Sequence, residues 1–357
     1  MALSSKATHQ KTQFAISLRR LGQAQGGGLF VALVGLGCYF TVASPAFLTR
    51  SNLTVVLLQV SILGMVAVPG AMLLVSGGLD LSVGSVAGLS AASFGEFSQI
   101  FHLPLGWSII LALAVGATWG LCNGILIAYL RCSPVIVTLG GYAGAAGVAQ
   151  FITSDNTRYN FGNAFAVLGN GEVGGLPVPV IIFLFVFVVG LYVWYRTPVG
   201  RHLISIGSNR EAAKAVGVAV IRLPFIVYIL SGMAAAAGGL ILTSQLDAAS
   251  VQIGQGLELQ VLTAILLGGV AFNGGRGSLW GTLAGILFIG VLDNGLVLIN
   301  VGPYVASMCV GGALVVAAVL DVVYQHLERV PVRAPEALVK LKGDISQGDV
   351  PGAVSVG

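Results

Sequence analysis

Charge is what this 357-residue sequence has least of. Asp, Glu, Lys and Arg make up 8% of it, against 56% hydrophobic residues. A soluble domain carries roughly 25% charged residues, so a chain of this length has too few to build a hydrated skin. Lipid is the one solvent that tolerates an apolar exterior. Paired cysteines are missing as well. Cys38, Cys122, Cys132 and Cys309 are scattered, mostly in apolar stretches; they read as small core residues rather than a disulfide or metal set. His9, His102, His202 and His326 stand apart from one another, and no Gly-Lys dipeptide occurs. A phosphate-cradling Walker loop is thereby excluded. The one Gly-x-Gly-x-x-Gly run, residues 169–174, has no strand before it and no helix opening from it, so it is not a dinucleotide site. Nothing nominates a catalytic residue, a cofactor or a metal. The 51 glycines follow no three-residue period and proline is sparse. Collagen-like and low-complexity structures fall away, leaving glycine the role of letting membrane helices approach closely.

What is present is a series of apolar runs. A spanning helix needs about 20 mostly apolar residues. Candidates lie at 27–44, 52–75, 79–97, 105–130, 134–153, 178–195, 224–243, 257–272, 280–300 and 304–324. The third is rich in Gly and Ser and the eighth is short, so the count falls between nine and eleven. The expectation is an all-α polytopic membrane protein with about ten transmembrane helices. Residues 1–26 form a cytoplasmic N-terminal segment, 27–325 the transmembrane domain, and 326–357 a cytoplasmic tail. Threading ten spans from a cytoplasmic N terminus puts every Lys and Arg inside except Arg50 and Arg158, out of 17 in all. That asymmetry sets the orientation. It also accounts for the net charge of +4 without implying a nucleic-acid partner.

Polar residues interrupt the runs at a few places. Gly77, Gly78, Asp80 and Ser82 break the chain between the second and third spans. The glycines let the backbone turn, and Asp80 with Ser82 satisfies freed N–H groups at the next helix start. Glu258, near the outer boundary, reads as solvated. Asp293 lies within the ninth span, where an ionisable group faces either a hydrated path or another helix; both readings stay open. Asn123, Gln150 and Asn294 are amides that suit a path for hydroxyl-rich solutes. After the sixth span, Asn209 caps a short Ala-rich helix with Glu211 in its first turn, and Gly217 stops it. A helix of about nine residues is marginal alone in water, so it leans on something, a cytoplasmic partner being the natural candidate.

Four stretches together resemble the permease subunits of the ribose-type ABC sugar importers, over residues 52–323. They are Ser76-Gly77-Gly78-Leu79-Asp80-Leu81-Ser82-Val83-Gly84; Asn123-Gly124 to Pro134 with Val137-Thr138-Leu139-Gly140; Gly207-Ser208-Asn209-Arg210-Glu211-Ala212-Ala213; and Leu267-Gly268-Gly269, Gly274-Gly275-Arg276-Gly277, Gly281-Thr282 and Asn294-Gly295-Leu296. The family often has an acid where Gln260 stands and Asn where Asp293 stands. The resemblance implies a bacterial inner-membrane permease that binds no cofactor itself. Its partners would be an ATP-hydrolysing cytoplasmic subunit gripping the segment of Gly207, Asn209, Arg210, Glu211, Ala212, Ala213 and Gly217, a periplasmic or lipid-anchored solute-binding protein, and a second, identical or related permease chain. It further implies that spans two to five and seven to ten are inverted repeats. Rival readings keep the ABC class with a branched-chain amino acid, nucleoside or signalling sugar as solute, or replace it with an ion-coupled secondary transporter.

Overall fold

The computed structural model describes residues 25–329. The expected terminal segments, 1–26 and 326–357, lie almost wholly outside them. Within that stretch a helix stands at each of the ten expected places: α1 (Gln25–Ala43), α2 (Arg50–Val75), α3 (Val83–Gln99), α4 (Leu105–Gly124, running on into a π-helical turn, Ile125–Tyr129), α5 (Pro134–Thr153), α7 (Val178–Arg196), α10 (Arg222–Leu246), α11 (Leu257–Leu267), α12 (Leu279–Leu298) and α13 (Pro303–Arg329). Between them lie α6 (Asn163–Asn170), α8 (Pro198–Ser208) and α9 (Arg210–Ala215), and four two-residue strands, β1 (Arg158–Tyr159), β2 (Glu172–Val173), β3 (Leu176–Pro177) and β4 (Ala248–Ala249). Strand β1 pairs antiparallel with β4, and β2 with β3. The glycine run at 169–174 spans the end of α6 and the β2 side of this hairpin. Helices α1 to α12, with α13 up to Asp321, pack as one body.

Seven of the helices are long and apolar enough to cross a membrane; α1 and α11 are apolar but shorter. The protein is a polytopic all-α membrane protein, and its surface shows it. Phe151 is 85% exposed and Phe185 69%, positions that water would penalise. Cys38, Cys122 and Cys132, expected in the core, also face outward. In lipid an apolar side chain gains nothing by turning inward, so burial no longer follows polarity.

Two helices occupy the centre. Helix α2 packs against α7, α10, α11 and α12; helix α10 packs against α2, α3, α4 and α6. The pairings exchange in a regular way: α2 meets α12 as α10 meets α4, α2 meets α11 as α10 meets α3, and α3–α4 corresponds to α11–α12. That is the pattern of two units, α2–α4 and α10–α12, related by a two-fold axis, which agrees with inverted repeats. At the α4–α10 crossing Gly116, Gly120 and Gly232 bring the backbones together: a methyl group at any of them would overlap a carbonyl oxygen of the facing helix.

A reciprocal amide pair holds the α2–α12 crossing. Asn52 Nδ2 donates to Asn294 Oδ1 and Asn294 Nδ2 to Asn52 Oδ1, both at 2.9 Å, and Asn52 Nδ2 also reaches the Phe47 carbonyl. Hydrogen bonds between membrane helices couple by about 0.6 kcal/mol on average and up to about 1.7. A double-mutant cycle of Asn52→Leu and Asn294→Leu, read by reversible unfolding in mixed micelles, should return a coupling of about 1 kcal/mol. Additive single effects would show that the pair is not formed.

Candidate functional site

Two helices of the bundle begin part-way through it. With a rise of about 1.5 Å per residue, α11 is only about 16 Å long, half of a hydrocarbon core of about 30 Å. The chain ahead of it, residues 248–256, is non-helical after β4 and runs down the side of α3. A methyl group at Gly95 would lie 2.9 Å from Ala249 Cβ, one at Gly88 2.6 Å from the Val251 carbonyl, and one at Gly84 2.7 Å from the Gly254 carbonyl. Residues 76–82, ahead of α3, are likewise non-helical. The two helix starts therefore meet, with the Glu258 carboxylate lying over Gly84.

The two breaks carry one sequence. Gly78-Leu79-Asp80-Leu81-Ser82-Val83 matches Gly256-Leu257-Glu258-Leu259-Gln260-Val261, and Asn123-Gly124 of α4 matches Asn294-Gly295 of α12. Asp80 and Glu258 are thus two-fold counterparts, a relation that sequence reading missed. Comparison of the two halves would have revealed it.

The two acids differ in their surroundings. Asp80 is satisfied: Oδ1 accepts from the Ser82 N–H at 3.0 Å and the Ser82 hydroxyl at 2.6 Å, and Oδ2 from the Ser231 hydroxyl at 2.8 Å. Asn123 Nδ2 donates to Ser82 Oγ at 2.9 Å. Tyr228, wholly buried, places its hydroxyl between the N–H and C=O of Leu79. Asp80 thus ties α3, α4 and α10 together, and Ser82 makes no side-chain cap of its own. Glu258, expected in solvent, instead has its Oε2 sealed from water with no partner among the described residues. The unwound stretch before α11 has drawn it inward.

Of the other amides and acids singled out from the sequence, Asn123 and Asn294 are buried and bonded to neighbouring helices, and Gln150 is exposed on α5. Asp293 lines a cavity of about 590 Å³ between α2, the end of α10, residues 250–257 and α12.

At the opposite end of α2 sits the segment following α7. Its first part is helix α8, which sequence reading passed over. Thr197 caps it by accepting from the Val199 N–H, and Leu203 and Ile206 are buried beneath it. Gly207 lies where the Gly275 N–H donates to the Val75 carbonyl at 2.8 Å; a side chain there would collide with both groups. Asn209 then accepts from the Ala212 N–H at 3.0 Å to start α9, and Gly217, at φ +82°, ends the turn, a conformation natural to glycine. Arg210, Glu211, Ala212 and Lys214 face outward, whereas Ala213 is buried against Ile206 and Val220. A rigid two-helix platform thus rests on the end of α2 and on the turn between α11 and α12.

A membrane protein of exchanged helical halves, with broken helices meeting inside and a short polar platform at one end, is a transporter subunit by architecture. The chain belongs to the family described as branched-chain amino acid transport system, permease component, whose pattern matches residues 52–319. It is 35% identical over 302 residues to the ribose import permease protein RbsC of Bacillus subtilis, covering 84% of this chain and 94% of that one. It is 34% identical to the autoinducer 2 import system permease protein LsrD of Photorhabdus temperata (84% and 92% covered) and 32% to the galactose/methyl galactoside import permease protein MglC of Salmonella typhimurium (83% and 93%). No solved structure matches.

Proposed function

We infer that this permease is the membrane subunit of an ATP-driven importer for a sugar or sugar-like solute, working by alternating access in a bacterial inner membrane. The observation that carries this is the α8–α9 platform. Its outer face is polar and unpartnered by the bundle, while its inner face bears on Val75 and Gly275 through Gly207. A cytoplasmic ATPase subunit gripping Glu211 and Ala212 would move the end of α2, which runs straight into the break at residues 76–82, and the α11–α12 turn, which helix α11 joins to the break at residues 248–256. Both termini lie in the cytoplasm on this reading, as the distribution of Lys and Arg supports. A solute-binding protein delivers from outside, and a second permease chain completes the pathway. This chain itself binds no nucleotide and makes or breaks no covalent bond. The solute class is supported by the names of the relatives, which are import permeases for ribose, autoinducer 2 and galactose.

The test is uptake into proteoliposomes holding the permease, the ATPase and the binding protein encoded beside it. Radiolabelled ribose, galactose or fructose should accumulate only with ATP, and a proton ionophore should leave the rate unchanged. Uptake abolished by the ionophore and indifferent to ATP would replace this reading with an ion-coupled one.

A further inference from the structure

The turn of residues 268–278, between α11 and α12, is fastened to four other helices. The Gly275 N–H donates to the Val75 carbonyl at the end of α2 at 2.8 Å, and the Gly275 carbonyl accepts from the Ser208 hydroxyl at the end of α8 at 3.3 Å. The Tyr195 hydroxyl of α7 lies 3.0 Å from Ser278 Oγ. The fourth tie runs to α13: Asp321 Oδ2 accepts from the Phe272 N–H at 3.2 Å, and Asp321 Oδ1 lies 3.7 Å from Arg276 Nη2. Toward α2 and α8 there is no slack. A methyl group at Gly274 would stand 2.8 Å from the Gly77 nitrogen, and one at Gly275 2.9 Å from Ser208 Cα, both well inside an ordinary carbon contact of about 3.5–4.0 Å. The turn therefore moves with the platform and with the end of α2.

The tie to α13 differs in kind from the others. Helices α5 and α13, which follow the two related units, are the least enclosed of the seven long spans, with 17% of the span buried in each. Packing gives such a helix little hold, because coupling travels through contiguous contacts and few are made. A pull on the platform reaches α13 only through a specific bond. Asp321 supplies one: its side chain is 13% exposed, against 38% for Arg276, and an ionised acceptor binds an N–H more strongly than a neutral one does. An ion pair with so exposed a partner adds little to folding, so stability does not account for the arrangement. Asp321 also stands just beyond residues 52–319, which the family pattern matches. We propose that Asp321 is the positioning residue that makes α13 follow the platform: movement of α8–α9 passes into the turn at Gly275 and from the turn, through Asp321, into the last spanning helix. This role rests on the importer reading above and deepens it, adding α13 to the helices that the ATPase subunit moves.

The experiment uses the complete importer in proteoliposomes, with radiolabelled ribose, galactose and fructose as probes, and reads solute taken up per ATP hydrolysed. Asp321→Leu should lower that ratio at least fivefold, while the ATP hydrolysis stimulated by the loaded binding protein stays within twofold. Arg276→Gln, at the more exposed partner, should lower the ratio at least twofold and serves where Asp321→Leu does not fold. Arg276→Lys keeps the charge and should retain at least half of the wild-type ratio. A residue that merely holds the fold would act otherwise: less folded protein, with uptake and hydrolysis falling together and their ratio unchanged. That result, or wild-type ratios in every variant that folds, would overturn the coupling role while leaving the importer intact. Wild-type uptake indifferent to ATP would overturn the importer reading and this role with it.

Discussion

Leucine in place of Gly232 is expected to leave no folded permease to extract. A side chain there runs into the backbone carbonyl of Gly116, and one at Gly116 meets that of Gly232 and the methyl of Ala236 at 2.5 Å. Overpacking a core costs about 1–3 kcal/mol when side chains can move aside. Here the obstacles are backbone, and the helices must separate along the whole α4–α10 crossing. The loss should exceed about 4 kcal/mol, a large share of a total stability of about 5–15. Size-exclusion profiles of detergent extracts should show aggregate or nothing for Gly116→Leu and Gly232→Leu. Gly140→Leu and Gly147→Leu on α5 provide the contrast. Neither glycine has an atom within 4 Å of where a Cβ would stand, so both variants should elute as the wild type does. A monodisperse Gly232→Leu protein would mean that α4 and α10 do not cross as described.

Bulk at Ala212 should produce the opposite phenotype, a sound protein that does not transport. Ala212 faces outward on α9 and makes no contact that the bundle needs. Ala212→Trp should therefore leave expression and thermal stability unchanged while lowering ATP-driven uptake at least tenfold, through loss of the fit to the ATPase subunit. Ala213→Trp, one residue on, should fail differently. Its side chain is buried against Ile206 and Val220, so the platform itself should come apart and stability should drop. Full transport by Ala212→Trp would remove α9 from the coupling role. Transport loss accompanied by an equal loss of stability would show that the residue holds the fold rather than the partner.

Much of this permease could be read before its structure was known, and the legible part has a common cause. Long apolar runs and the Asn209 cap with its Gly217 stop are both local or compositional signals. Each depends on a residue's own solvent preference or on its neighbours within a turn. Helix α8 escaped because its stripe of Leu203 and Ile206 is short and lies beside the stronger α9 signal. The cysteines were misplaced because the usual link between apolar and inside presumes water as the surroundings.

The sequence by itself determined that the chain lives in lipid, that it is all-α and polytopic, where α9 begins and ends, and which family it joins. It did so because partition into a bilayer is a sum over residues, and caps and turns are settled within a few positions. Only the tertiary structure decided that Asn123 and Asn294 lock helices together while Asp293 opens onto a cavity. It alone showed that Asp80 is satisfied and its counterpart Glu258 is not. Those outcomes depend on which backbones cross and how closely. That is set by glycine contacts between helices more than a hundred residues apart in the chain, such as Gly116 with Gly232, and no local preference encodes it.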